Sequence, residues 1–139
     1  MNIKQAGELF GLTPETLRYY ERVGVIPPVA RNKSGYREFT ISDLNWVYLV
    51  TTLRSAGLSI ESLIEFCQLS QLRDEKDIGG AQKQVLRDER DELDAKIDHL
   101  KDVRALLDYK LEHYDDHVAK FNAGEPVEKL WENPPRHQD

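Results

Sequence analysis

The sequence predicts a mainly α-helical protein with two parts. A winged helix-turn-helix domain with a two-stranded wing occupies residues 1–70, and a long helix over residues 81–121 pairs with another copy. Three observations carry this expectation. Two short amphipathic segments flank a Gly11-Leu12 turn. A turn-forming stretch, Asn32-Lys33-Ser34-Gly35, separates two short β-prone segments. Leucine recurs at heptad spacing from Leu86 onward.

The elements follow in order. Asn2 suits an N-cap, and Ile3, Ala6 and Phe10 fall on one face of the helix that follows it. Thr13 is a second N-cap, with Pro14 at the first helical position, where a missing N–H costs nothing. Leu17 and Tyr20 point inward from this second helix. Gly24 ends it, and Pro27-Pro28 prevents its resumption. Val29-Ala30-Arg31 and Tyr36-Arg37-Glu38-Phe39 then form a hairpin, the wing. Thr40 and Asp43 make a capping box for a third helix running through Leu44, Val47 and Val50 to about Arg54. Gly57 closes it. Ser59 caps a fourth helix with Ile60, Leu63, Ile64 and Cys67 on one stripe.

Residues 71–80 read as a charged connector ending in Gly79-Gly80. One helix is expected over 81–121, with Leu86, Leu93, Leu100, Leu107, Tyr114 and Phe121 at heptad spacing. Ile97, Leu111 and Val118 lie at the companion positions, interrupted by Arg90 and Arg104. The chain has no other long helix to cover this seam, so a second copy must, giving a homodimer. An amphipathic helix folded onto its own domain is the alternative. The tail over 122–139, with Gly124, Pro126, Pro134 and Pro135, is expected to be partly mobile.

The net charge of −6 at first opposes a nucleic-acid partner. Its distribution reverses that reading. From Thr16 to Arg37 there are five basic side chains and one acid, Glu21. Salt screens charge beyond about 8–10 Å, so the local patch decides phosphate attraction. The lone cysteine excludes an internal disulfide framework and fits the reducing cytoplasm. No apolar run approaches the roughly 20 residues of a membrane helix, and no signal-peptide hydrophobic stretch opens the chain.

Glu15, Arg18, Tyr19 and Arg22 share one side of the second helix, with Thr16 near its N-terminus. Guanidinium forks and a phenol suit phosphates and guanine edges. Such a face is elsewhere commonly a solvated one with local Glu–Arg pairs. The preceding turn and the following basic hairpin point here to double-stranded DNA. The wing adds Lys33, Tyr36 and Arg37, and phosphate contact is expected of Arg37 before Tyr36, which can pack on the domain.

These motifs resemble the MerR family of transcription regulators. The resemblance rests on Thr16-Leu17-Arg18-Tyr19-Tyr20-Glu21-Arg22-Val23-Gly24, on Ser34-Gly35-Tyr36-Arg37-Glu38-Phe39, and on Leu53-Arg54-Ser55-Ala56-Gly57-Leu58-Ser59. It implies an antiparallel coiled coil between two long helices. It also implies a homodimer on a pseudo-palindromic operator in a promoter with an overlong spacer. There the protein bends and untwists DNA so that RNA polymerase can use it, acting through deformation energy. Arg18 and Tyr19 match recognition-helix contacts, Tyr36 and Arg37 wing contacts, and Tyr20 a core position.

The resemblance extends to the small aldehyde- and thiol-stress branch through Leu106-Leu107-Asp108-Tyr109-Lys110-Leu111-Glu112-His113-Tyr114. Thr52 stands where some members carry a late third-helix cysteine. Cys67, one helix later, is the sole sensor candidate, and its place on an apolar stripe favours a core role. Metal-sensing relatives use several cysteines, so no metal or other cofactor is expected. His113 and His117 have the spacing of a helical metal pair, but exposed helix histidines usually bind none. There is no phosphate loop or nucleophile elbow, which argues against an enzyme. The alternative to a signal-responsive regulator is a non-sensing DNA-binding or protein-interaction adaptor with the same head and coil.

Overall fold

A computed structural model describes all 139 residues and contains six α-helices. The chain divides into two compact units, Met1–Glu92 and Leu93–Asp139.

In the first unit, α1 spans Ile3–Phe10 and α2 spans Pro14–Val23. Asn2 and Gln5 form a reciprocal capping box on α1, and Thr13 caps α2 through the Thr16 N–H. Gly11 and Gly24 end these helices with φ of 68° and 84°, conformations that favour glycine. Helix α3 spans Ile41–Ser55 behind the expected Thr40–Asp43 box, and α4 spans Glu61–Ser70. Ser59 assists α4 by accepting the Glu61 N–H at 3.1 Å, while Ile60 holds the cap position itself. The shared core contains Ala6, Leu17, Tyr20, Val25, Ile26, Val29, Phe39, Val47, Val50 and Leu63. Complete burial of a side chain such as Leu17 is worth about 1.5–3 kcal/mol. It fixes the orientation of α2 and therefore its outward face.

Three expectations change. The two-stranded wing is reduced to one antiparallel bridge between Arg31 and Arg37. Its limbs are too short for a ladder, and Asn32 organises the loop instead. The Asn32 Oδ1 accepts the N–H groups of Ser34 and Tyr36, and Gly35 sits at φ 85°. Gly79-Gly80 belong to α5, Gly79–Glu112, rather than to the connector; the Asp77 carboxylate accepts the Gly79 N–H.

The single helix over 81–121 is two helices. Helix α5 ends at Glu112, His113 leaves helical geometry at φ −103° and ψ 12°, and α6 runs Tyr114–Asn122. Asp115 and Asp116 in the first turn of α6 favour a new N-terminus there, through the helix dipole. Tyr114 and Val118 therefore sit on α6.

The second unit contains the C-terminal part of α5, α6 and the tail. Leu100, Leu107 and Leu111 on α5 are exposed, as are Tyr114, Val118 and Phe121 on α6. The tail bonds back to α5. The His137 Nδ1 lies 2.6 Å from Asp102 Oδ1, the His137 N–H donates to the same oxygen, and the Tyr109 hydroxyl donates to Glu128. No helix is long and apolar enough to cross a membrane.

Candidate nucleic-acid interface

The recognition face is built by the burial of Leu17 and Tyr20, which turns Arg18, Tyr19 and Arg22 outward. The Arg22 guanidinium lies 5.4 Å from the Tyr19 ring centroid, a cation–π arrangement that restrains both side chains. Glu15 forms no ion pair with Arg18 or Arg22, so the solvated Glu–Arg pairing weighed above is absent. Thr16 is partly buried, with its hydroxyl 3.0 Å from that of Thr13. It belongs to the helix cap as much as to the outer face.

The wing completes the surface. Tyr36 is 71% exposed and does not pack on the domain, and Lys33 is exposed. Arg37 is committed to the protein through its Nε, which donates to Glu21 Oε1 at 2.8 Å. A groove of about 400 Å³ lies between these elements, lined by Lys4 of α1, Arg18 of α2, and Arg31, Tyr36 and Arg37 of the wing. Lys4, Arg18 and Arg31 have no carboxylate partner. The Arg31 guanidinium is held by the Gly35 carbonyl at 2.8 Å. Three unneutralised cations around one concavity attract phosphate oxygens.

Lys4 and Arg31 were not singled out from sequence. Lys4 stands on a different helix, so no linear spacing relates it to Arg18. Arg31 adds only one charge to a loop until the hairpin turns it toward α2.

Cys67 is fully buried in the first unit. Burial pushes its thiol above the ordinary value, and the Gln71 amide at 3.6 Å opposes this only in part. His113 and His117 stack with ring centroids 5.9 Å apart, and the Tyr109 ring packs against His113 at 4.4 Å with the planes tilted by 44°.

Comparison with known proteins matches this head to one family. The model described as "MerR HTH family regulatory protein" matches residues 1–70. The chain is 55% identical over 69 residues to the HTH-type transcriptional regulator AdhR of Bacillus subtilis, covering 50% of this chain and 49% of that protein. It is 34% identical over 85 residues to the regulator YyaN of the same species, covering 58% of this chain and 60% of that one. The chain thus spans about half the length of the curated relatives it matches. Among solved structures, a MerR family transcriptional regulator from Listeria monocytogenes superposes with a TM-score of 0.77 at 40% identity, covering 89% of this chain and 92% of that one. HiNmlR, described as a MerR family regulator lacking the sensor domain and bound to promoter DNA, gives 0.72 at 29% identity, covering 85% and 92%. On its first 70 residues and their close structural relatives, the chain belongs to the MerR family of helix-turn-helix transcription regulators.

Proposed function

We propose that this protein is a transcription regulator that binds a pseudo-palindromic promoter operator as a homodimer and distorts it. The observation that carries this reading is the groove between α2 and the wing, where Lys4, Arg18 and Arg31 stand without counter-charges beside the exposed Tyr36. Thr16, Arg18, Tyr19 and Arg22 enter the major groove, and Lys33, Tyr36 and Arg37 follow the flanking backbone. The description of HiNmlR as bound to promoter DNA supports a DNA-binding role for this head. Dimerisation uses the apolar line Leu86, Leu93, Ile97, Leu100, Leu107 and Leu111, continued by Tyr114 and Val118 on α6. All of these except Leu93 are exposed in the single chain. Two such surfaces, related by a two-fold axis, set two recognition helices for two half-sites. RNA polymerase then responds to the altered DNA rather than to extra base contacts.

The signal is a stress or a small molecule, the reading implied by the resemblance of residues 106–114 to the small aldehyde- and thiol-stress branch. Cys67 is a poor receiver, because a buried thiol with a raised pKa is a weak nucleophile. A second reading, a regulator without a sensor of its own, is supported by the description of HiNmlR.

Selection of duplexes from random sequence by the wild-type protein, followed by footprinting, tests the proposal. Two related half-sites are expected. Failure to enrich any sequence contradicts it. A reporter on the selected site separates the two readings: induction by aldehydes or thiol-reactive compounds supports the sensing form, and a constant output supports the other.

A further inference from the structure

Glu21 is the one acid between Thr16 and Arg37, the stretch that carries most of the residues assigned to DNA. By charge alone it opposes phosphate. Its geometry gives it another task. Oε2 accepts the Val29 N–H at 2.6 Å, and Oε1 accepts Arg37 Nε at 2.8 Å. Val29 lies on the limb entering the wing and Arg37 on the limb leaving it. One carboxylate on α2 therefore ties both limbs to the recognition helix. Both Glu21 and Arg37 side chains are only 18% exposed, so the pair is largely shielded from solvent competition.

Val29 and Phe39 anchor the base of the wing in the core beside Leu17 and Tyr20, but beyond that base few polar contacts orient it. It has one bridge and no ladder. The Asn32 and Arg31 bonds shape its tip but do not reach α2. At its base, Glu38 N–H donates to the Ala30 carbonyl and Phe39 N–H to the Met1 carbonyl, and neither bond touches α2.

We propose that Glu21 is a positioning residue that fixes the angle between the recognition helix and the wing, so that Arg31, Lys33 and Tyr36 meet the DNA backbone in register with Arg18. This inference rests on the DNA-binding reading and goes beyond it, because it assigns a DNA-promoting role to a residue whose charge repels DNA.

The test compares wild type, Glu21→Gln and Glu21→Asp on a duplex selected from random sequence by the wild-type protein. Glu21→Gln removes the negative charge and one acceptor. Charge alone predicts tighter binding. The positioning role predicts weakening of about tenfold, the effect of losing one charged contact. It also predicts a salt slope shallower by about 0.9 for each wing phosphate lost. Glu21→Asp keeps the charge and shortens the reach, so charge alone predicts no change, whereas positioning predicts the same loss. Hydroxyl-radical footprints read the geometry directly: protection under the wing fades while protection under α2 persists. Wild-type affinity, slope and footprint in both variants overturn the inference. If Arg18→Ala weakens binding while both Glu21 variants do not, the DNA-binding reading stands and this inference alone falls. If the wild type selects no duplex, both fall. Should Glu21→Gln lose the fold by circular dichroism, the Glu21→Asp footprint decides.

Discussion

Gly7 and Leu12 close the turn between α1 and α2 so tightly that position 7 has no room for a side chain. The Leu12 N–H donates to the Gly7 carbonyl at 2.8 Å, and a Cβ on Gly7 would lie 2.4 Å from the Leu12 carbonyl oxygen. That oxygen is backbone and cannot swing aside. Gly7→Ala is therefore expected to cost about 1–3 kcal/mol, as overpacking does. For a domain of this size each kcal/mol lowers Tm by about 4–8 °C. Differential scanning calorimetry checks it. An unchanged Tm means that the turn opens freely and does not fix the angle between the two helices.

The dimer surface makes a separate prediction. Leu100 and Leu107 are 63% and 58% exposed in the single chain, so replacing both with Asp removes little packing within it. Wild type should sediment as a dimer and the double variant as a monomer, with the Met1–Glu92 unit still folded by circular dichroism. A variant that remains dimeric places the interface elsewhere.

Cys67 gives a chemical prediction. Burial holds its thiol above the ordinary value of 9.0. The neutral thiol is thus favoured in the folded state. This contribution to stability is full below that value and is lost as pH rises through the raised one. Near neutral pH the native protein should react with a disulfide reagent only as fast as it opens, and urea should speed the reaction sharply. Cys67→Ala should keep any inducer response in a reporter strain. Rapid labelling of the native protein together with loss of the response would instead make Cys67 the sensor.

Much of the head was legible because it rests on local rules. The Asn2, Thr13 and Thr40 caps and the stops at Gly11 and Gly24 follow from adjacent residues, and each appears where expected. What depends on distant residues was not legible. The Glu21–Arg37 tie spans 16 positions and makes Arg37 a structural group as well as a DNA candidate. The groove needs Lys4 from α1, which no helical spacing relates to the wing. The break at His113 was hidden because the heptad pattern continues through it. Periodicity reports which residues are apolar, not whether the backbone stays helical between them. The tail carried turn residues, so the His137–Asp102 tie had no sequence signal.

That tie sets an acid limit on tail docking. The His137 side chain and backbone N–H hold the Asp102 carboxyl below its ordinary value of 3.8, against a smaller opposing effect of burial. A depressed carboxylate contributes stability above its ordinary value and loses it as pH falls through the lowered one. In a Trp46→Phe background, Trp131 fluorescence should therefore change below about pH 3.8. Asp102→Asn should abolish that step. A step that persists in Asp102→Asn assigns it to another group.

The central claim is that the groove between α2 and the wing binds DNA phosphates. The most direct measurement is the salt dependence of operator affinity for wild type, Lys4→Ala, Arg18→Ala and Arg31→Ala. A steep negative slope of log affinity against log salt is expected for wild type. Each substitution should make it shallower by about 0.9 and weaken binding. Slopes and affinities equal to wild type in all three variants would contradict it.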